Sequence, residues 1–163
     1  MTELALYYPV SPHRVNRVWG VRDSSYKKFG FERHNGIDLA LEEGQEVLAP
    51  FDCKVSLAGN HPKASGNFVC LLSTHAYRFP DGKECRVELT LMHLRKIEAK
   101  EGDRLSAGDI VAHGSDANGH LHIAPKRVKK GWFGYRDLDR NDADNTFDPE
   151  PYWNGLYAKK AGG

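Results

Sequence analysis

Cysteine is scarce in this chain of 163 residues: only Cys53, Cys70 and Cys85 occur. An odd number cannot all pair within one chain, and no Cys-x-x-Cys spacing is present. Neither a disulfide framework nor a thiolate zinc site is therefore indicated. Cys53 and Cys70 lie in apolar stretches and read as small buried hydrophobes, in a chain made in a reducing compartment. Charge of one sign is also missing. A net charge of +1 argues against a nucleic-acid footprint, so no nucleic-acid partner is expected. No apolar run is long enough to span a bilayer, and no membrane insertion is expected. The opening "MTELALYYPVSPHRV" has no basic region followed by an apolar one, so no secretory signal is read there. No internal repeat and no second domain are evident, which leaves one expected domain over residues 1–163.

Apolar material is ample for one core, with 40% hydrophobic and 28% charged residues. After an aromatic-, Pro- and Arg-rich segment without periodicity (Met1–Arg33), short apolar runs alternate with turn signals. The runs are "GIDLAL", "EVLAP", "CKVSLAG", "NFVCLLS", "RVELTLMHL", "DIVAHG" and "HLHIA". Their spacing and the Gly, Asn and Asp between them predict an all-β or β-dominated domain. In "RVELTLMHL", Val87, Leu89 and Leu91 share one face and Glu88, Thr90 and Met92 the other. "FPDGKE" reads as a hairpin connection, because Asp-Gly readily supplies positive φ. From Lys126 onward the pattern fades into a polar, turn-prone tail in which Phe147, Tyr152 and Trp153 are the expected anchors. "DLDRNDADN" in that tail lacks the Gly and closing Glu of a calcium loop. The basic run "KRVKK" (Lys126–Lys130) reads as a solvated face, with a polyanionic surface such as bacterial cell wall as a second reading.

The histidines are the informative residues. In "GHLHIAP", His120 and His122 are two apart, so on a strand both rings face one way. In "HNGIDLAL", His34 and Asp38 are four apart, and Gly36 between them allows a tight backbone path on which a loop residue and a strand residue converge. Imidazole and carboxylate are both zinc ligands, and three of them with an open fourth position make a catalytic zinc arrangement. His122 can supply the third ligand to His34 and Asp38. There is no His-Glu-x-x-His helix, so another group must move protons. His120 and His93, in "LMHL", are the candidates, because imidazole titrates near neutral pH. His113 reads as bland. His13, His61 and His75 sit among turn residues and read as surface, and Asp116 and Asn118 as residues shaping the turn before "HLH".

His-x-Gly-x-Asp, then His-Leu closing a strand, then His-Leu-His resembles the lysostaphin-like (LytM-type) zinc endopeptidases of bacterial cell walls. "EEGQEVLAPFDCKVSLAG" and "KIEAKEGDRLSAGDIVAHG" resemble that family's intervening stretches, and the likeness covers about His34 to Ile123. It implies a compact antiparallel β domain with irregular N- and C-terminal flanks. It implies His34, Asp38 and His122 as metal ligands, Zn2+ as cofactor, and His93 and His120 as catalytic non-ligands. The implied substrate is a peptide bond in peptidoglycan stem peptides or cross-bridges, and a monomer is expected. The alternatives are an inactive wall-binding or hydrolase-regulating module, or a virion structural protein carrying the same site.

Some features depart from the family. "HGSDANGHLH" is short and has no Pro, and Ile123 and Ala124 replace the usual Phe-Glu; these changes bear on the groove rather than the metal ligands. Tyr26 is the nearest counterpart of a Tyr that some members place before the first ligand. Without a readable signal, the expected site of action is the periplasm or cell wall, reached by a phage lysis protein or on a virion.

Overall fold

The computed structural model describes residues 2–157. Its strands are β1 (Leu6–Tyr8), β2 (Val15–Arg17), β3 (Ile37–Ala40), β4 (Glu46–Leu48), β5 (Cys53–His61), β6 (Gly66–Ser73) and β7 (Tyr77–Arg78). They continue with β8 (Glu84–Ile97), β9 (Arg104–Leu105), β10 (Ile110–Ser115), β11 (His120–Gly131), β12 (Gly134–Asp137) and β13 (Trp153–Tyr157). Every apolar run read from the sequence lies on one of them. The main sheet has the order β2-β3-β11-β8-β6-β5-β9, with β10 bridging β4 and β8, and β12 and β7 extending β11 and β8. Its ladders are antiparallel; β1 and β13 form a separate parallel pair. This is the antiparallel β architecture expected for a lysostaphin-type domain.

Period-two alternation explains why the sheet has one dry face. Ile37 and Leu39 of β3 pair with Ile123 and Leu121 of β11, and all four are fully buried. They join Val87, Leu89 and Leu91 of β8 and Val69 and Leu71 of β6 in one core. Burying such side chains contributes about 1.5–3 kcal/mol each. Cys53, Cys70 and Cys85 are free and buried, as small hydrophobes should be, and burial pushes the Cys53 thiol up to about 12. "FPDGKE" closes the β7–β8 hairpin, with Gly82 at φ +82° and the Asp81 carboxylate accepting from the Lys83 N–H.

Three features differ from the sequence reading. β11 continues through "KRVKK" to Gly131 and turns into β12, so regular structure reaches past the visible pattern. That run is not uniformly solvated: Lys126 pairs with Asp137, and Arg127 is clamped by Asp139 at 2.7 Å and Asp81 at 2.9 Å. The acidic tail residues thus pair with cations instead of forming a cation loop; Asp142 likewise holds Arg22 and Arg33. His13 is not a surface residue. Its ring stacks on Tyr8 with centroids 4.1 Å apart, and Trp153 covers its edge. His61 and His75 are exposed, as read.

Candidate metal centre

The face of the sheet opposite the core carries the polar cluster. Antiparallel register places His122 directly across from Asp38. The same alternation that sends Leu121 and Ile123 inward therefore sends His120, His122 and Asp38 outward together. His34 arrives from the loop just before β3, and Gly36 makes that approach possible. A Cβ on Gly36 would collide with the Ile123 carbonyl and come within 2.9 Å of His122 Nε2. His34, Asp38 and His122 then offer one ligand atom each, all within 4.8 Å of one another.

The surrounding hydrogen bonds decide which ring nitrogens face inward. His34 Nδ1 lies 2.9 Å from the Val18 carbonyl. A carbonyl can only accept, so this nitrogen carries the proton and Nε2 turns a lone pair toward Asp38, 3.4 Å away. On the other side, His122 Nε2 lies 2.8 Å from Asn35 Oδ1, which orients the ring with Nδ1 facing Asp38 Oδ1 at 2.8 Å. Two imidazole lone pairs and a carboxylate, turned on one another by backbone and amide carbonyls, are stabilised by a positive charge among them. A proton serves in part; a cation serves all three. Tetrahedral zinc with bonds of about 2.0–2.2 Å separates its ligand atoms by roughly 3.3 Å, close to the 3.4 and 2.8 Å that separate Asp38 from the two rings. An N2O donor set with one position open matches catalytic zinc, and the outer carbonyls are the partners such ligands need.

Charge follows geometry. Burial works to raise the Asp38 pKa, but the hydrogen bonds and charge of His122 and His34 outweigh it and hold the carboxyl well below the usual range. Burial lowers the pKa of His122, with Asp38 opposing, and so favours the neutral imidazole that a metal needs. Tyr26, on a 3-10 turn (Ser24–Phe29) capped by Asp23, stacks on His34 with centroids 5.4 Å apart. The turn packs this ring against the ligand, and among the described residues the phenol has no hydrogen-bond partner.

The two remaining histidines sit beside the cluster without entering it. His120 Nδ1 is 3.1 Å from the Asn118 carbonyl, which leaves Nε2 bare, 3.7 Å from Asp38 Oδ1. His93 lies 5.0 Å from His120 by ring centroids, with its Nδ1 3.5 Å from the Asp116 carboxylate. Burial lowers the His93 pKa, and Asp116 opposes it.

His93 reaches this face only through a backbone irregularity. Val87, Leu89 and Leu91 are buried, and strict alternation would send His93 into the core after them. Instead His93 takes φ +67°, the β6 register slips between Asn67 and Val69, and Leu94 becomes the next buried residue. A bulge of this kind re-aims a side chain at the cost of a left-handed non-glycine residue. The sequence reading also missed Asn35 and the Val18 carbonyl as groups orienting the ligands. Asn35 is adjacent to a ligand and could have been flagged; a backbone carbonyl leaves no mark in sequence. From sequence, Asp116 is a turn former only. It is one, accepting from the Asn118 N–H at 2.8 Å, and it also faces His93. His113, on β10, pairs with Glu98 and takes no part.

An antiparallel sheet with this cluster on its polar face is the architecture of a group of peptidases. The chain belongs to peptidase family M23, whose model matches residues 32–131. Among solved structures it resembles that of LytU, with 26% identity and a TM-score of 0.61 over 86% of this chain and 83% of that one. It also resembles the catalytic domain of the antimicrobial peptidase lysostaphin from Staphylococcus simulans (23% identity, TM-score 0.60, 86% and 91% covered). A third likeness in fold is to a zinc-containing peptidase from Vibrio cholerae (21% identity, TM-score 0.64), where 90% of this chain covers 39% of that one.

Proposed function

We propose that this chain is a zinc-dependent endopeptidase that hydrolyses peptide bonds in the stem peptides or cross-bridges of peptidoglycan, acting in the cell wall or periplasm. The observation that carries the reading is the convergence of three acceptors, His34 Nε2, Asp38 and His122 Nδ1, with the two rings turned inward by the Val18 carbonyl and Asn35. Zinc held there supplies a Lewis acid for the scissile carbonyl and acidifies a water molecule. The chain's own residues do the rest. The bare Nε2 of His120 is placed to accept the proton of the attacking water, and His93, steadied by Asp116, to donate toward the developing oxyanion. The reverse assignment of the two rings is equally compatible with their spacing. As the carbon–nitrogen bond breaks, the captured proton passes to the leaving amine. An inactive binding module has no need of all five residues, and all five stand together here.

The test is a digest of purified sacculi of several wall types, read by mass spectrometry. New amino termini in stem or bridge peptides, lost with a chelator and in His122→Ala, are the expected result. Cleavage of sugar linkages, or peptide cleavage that survives both controls, overturns the proposal.

A further inference from the structure

The most exposed apolar side chains of the described residues are neighbours. Trp132 is 98% and Phe133 104% exposed, against 60% for Leu156, the next in order. They are the two central residues of the β11–β12 turn, between Gly131 and Gly134, which pair across it. Gly134 supplies the φ of +104° that closes the turn. Neither ring packs on anything, so the fold does not explain them. Around them, from Lys129 to Arg136, stand three cations and no acid. Lys129 lies across from Arg136 and Lys130 across from Tyr135, so positive charge flanks the tip on both faces. Among the described residues, Lys129, Lys130 and Arg136 make no ion pair, whereas Lys126 and Arg127, lower on the same strand, are both paired.

We infer that this hairpin tip is a membrane-surface contact, which sets Trp132 and Phe133 into the interface of an anionic lipid bilayer while Lys129, Lys130 and Arg136 meet its headgroups. Three points favour a bilayer over other occupants. Two aromatic side chains at a convex tip offer a few hundred Å2, about 150–250 Å2 each, too little for a specific protein interface. A two-residue projection matches the shallow depth of interfacial insertion, about 5–10 Å. Unpaired cations directly behind an aromatic pair complement a negatively charged leaflet. Among the described residues no helix is long and apolar enough to cross a membrane; the contact inferred here is one of side chains with the bilayer surface. β11 runs from His122 to the tip without a break in its register with β8 and β12. At about 3.3 Å per residue, the histidine cluster lies on the order of 30 Å along β11 from the tip.

Vesicle binding by the tip is independent of catalysis and is read by binding alone. The full chain is sedimented with vesicles of phosphatidylcholine, with and without phosphatidylglycerol. Binding to the anionic vesicles that falls about tenfold or more in W132S/F133S, and about fivefold for each of K129Q and K130Q, is expected, together with weakening by salt. Zinc titration of W132S/F133S shows that the variant is folded. No binding to anionic vesicles, or binding that the tip variant leaves unchanged, overturns the inference. So does a tip variant that loses sedimentation with purified sacculi and not with vesicles, which would assign the tip to the wall polymer.

Discussion

Replacing Asn35 by Ala tests how the cluster prepares itself for a cation. Asn35 and His122 are each 6% exposed, and Asn35 Oδ1 is the acceptor 2.8 Å from His122 Nε2. With a metal on His122 Nδ1, Nε2 must carry the proton, and Asn35→Ala leaves that N–H buried without an acceptor. Such a group costs about 1–3 kcal/mol, and loss of an outer partner of a metal-bound His typically lowers affinity by about 10–100-fold, so the two estimates overlap. Without metal the cost is avoidable. His122 can move its proton to Nδ1 and donate to Asp38 at 2.8 Å, leaving Nε2 bare. The variant should therefore lose about 10–100-fold in zinc affinity while its chelated form unfolds within about 1 kcal/mol of the parent. Asn35→Asp, which keeps an acceptor, should retain the affinity. Competition titration against a chromogenic chelator gives the first quantity and denaturant unfolding of the chelated protein the second. Zinc affinity within about twofold of the parent, or a metal-free stability loss as large as the binding loss, would refute the reasoning.

Other predictions address the frame around the site. Gly36→Ala forces a methyl group into the Ile123 carbonyl and should cost 3 kcal/mol or more on the order of other backbone clashes, seen as loss of soluble, cooperatively unfolding protein. For the metal-free protein, burial lowers the pKa of His122 and His93 from the ordinary 6.5. The unfolded chain then takes up protons first as pH falls below that value, so stability should drop as pH falls from about 6.5 toward the carboxylate range. Asp38 works the other way: its depressed pKa keeps its contribution intact through that window and loses it only under stronger acid. A Tm that stays flat from neutral pH into this range would contradict the assignment. Arg127→Met frees Asp139 and Asp81 from their clamp and should lower the unfolding midpoint, by less than loss of a fully buried pair because both acids reach solvent. Zinc affinity should be unchanged, since the clamp lies down β11 from the histidines.

Local chemistry made much of this protein readable from its sequence. Alternation in "GIDLAL" and "HLHIA" specifies two strands with apolar residues on one face and Asp38, His120 and His122 on the other, because side chains two apart on a strand share a face. Gly36 beside His34 signals a close backbone approach, which the structure shows against Ile123. The run "KRVKK" gives no such signal. Charged residues look alike in sequence, and only the folded chain separates Arg127, clamped by two acids, from Lys129 and Lys130, which face solvent.

Tertiary structure decided the rest. Alternation alone would bury His93 behind Leu91; a register slip against β6 and a left-handed residue bring it to the cluster instead. The proton positions on His34 and His122 depend on the Val18 carbonyl, 16 residues away in the chain, and on the Asn35 side chain, 87 residues from His122. Such partners meet only when distant segments pack, and a hydrogen bond across that distance has no period for a sequence to display. The sequence thus determined which residues could bind a cation, and the fold decided which nitrogens of those residues face it.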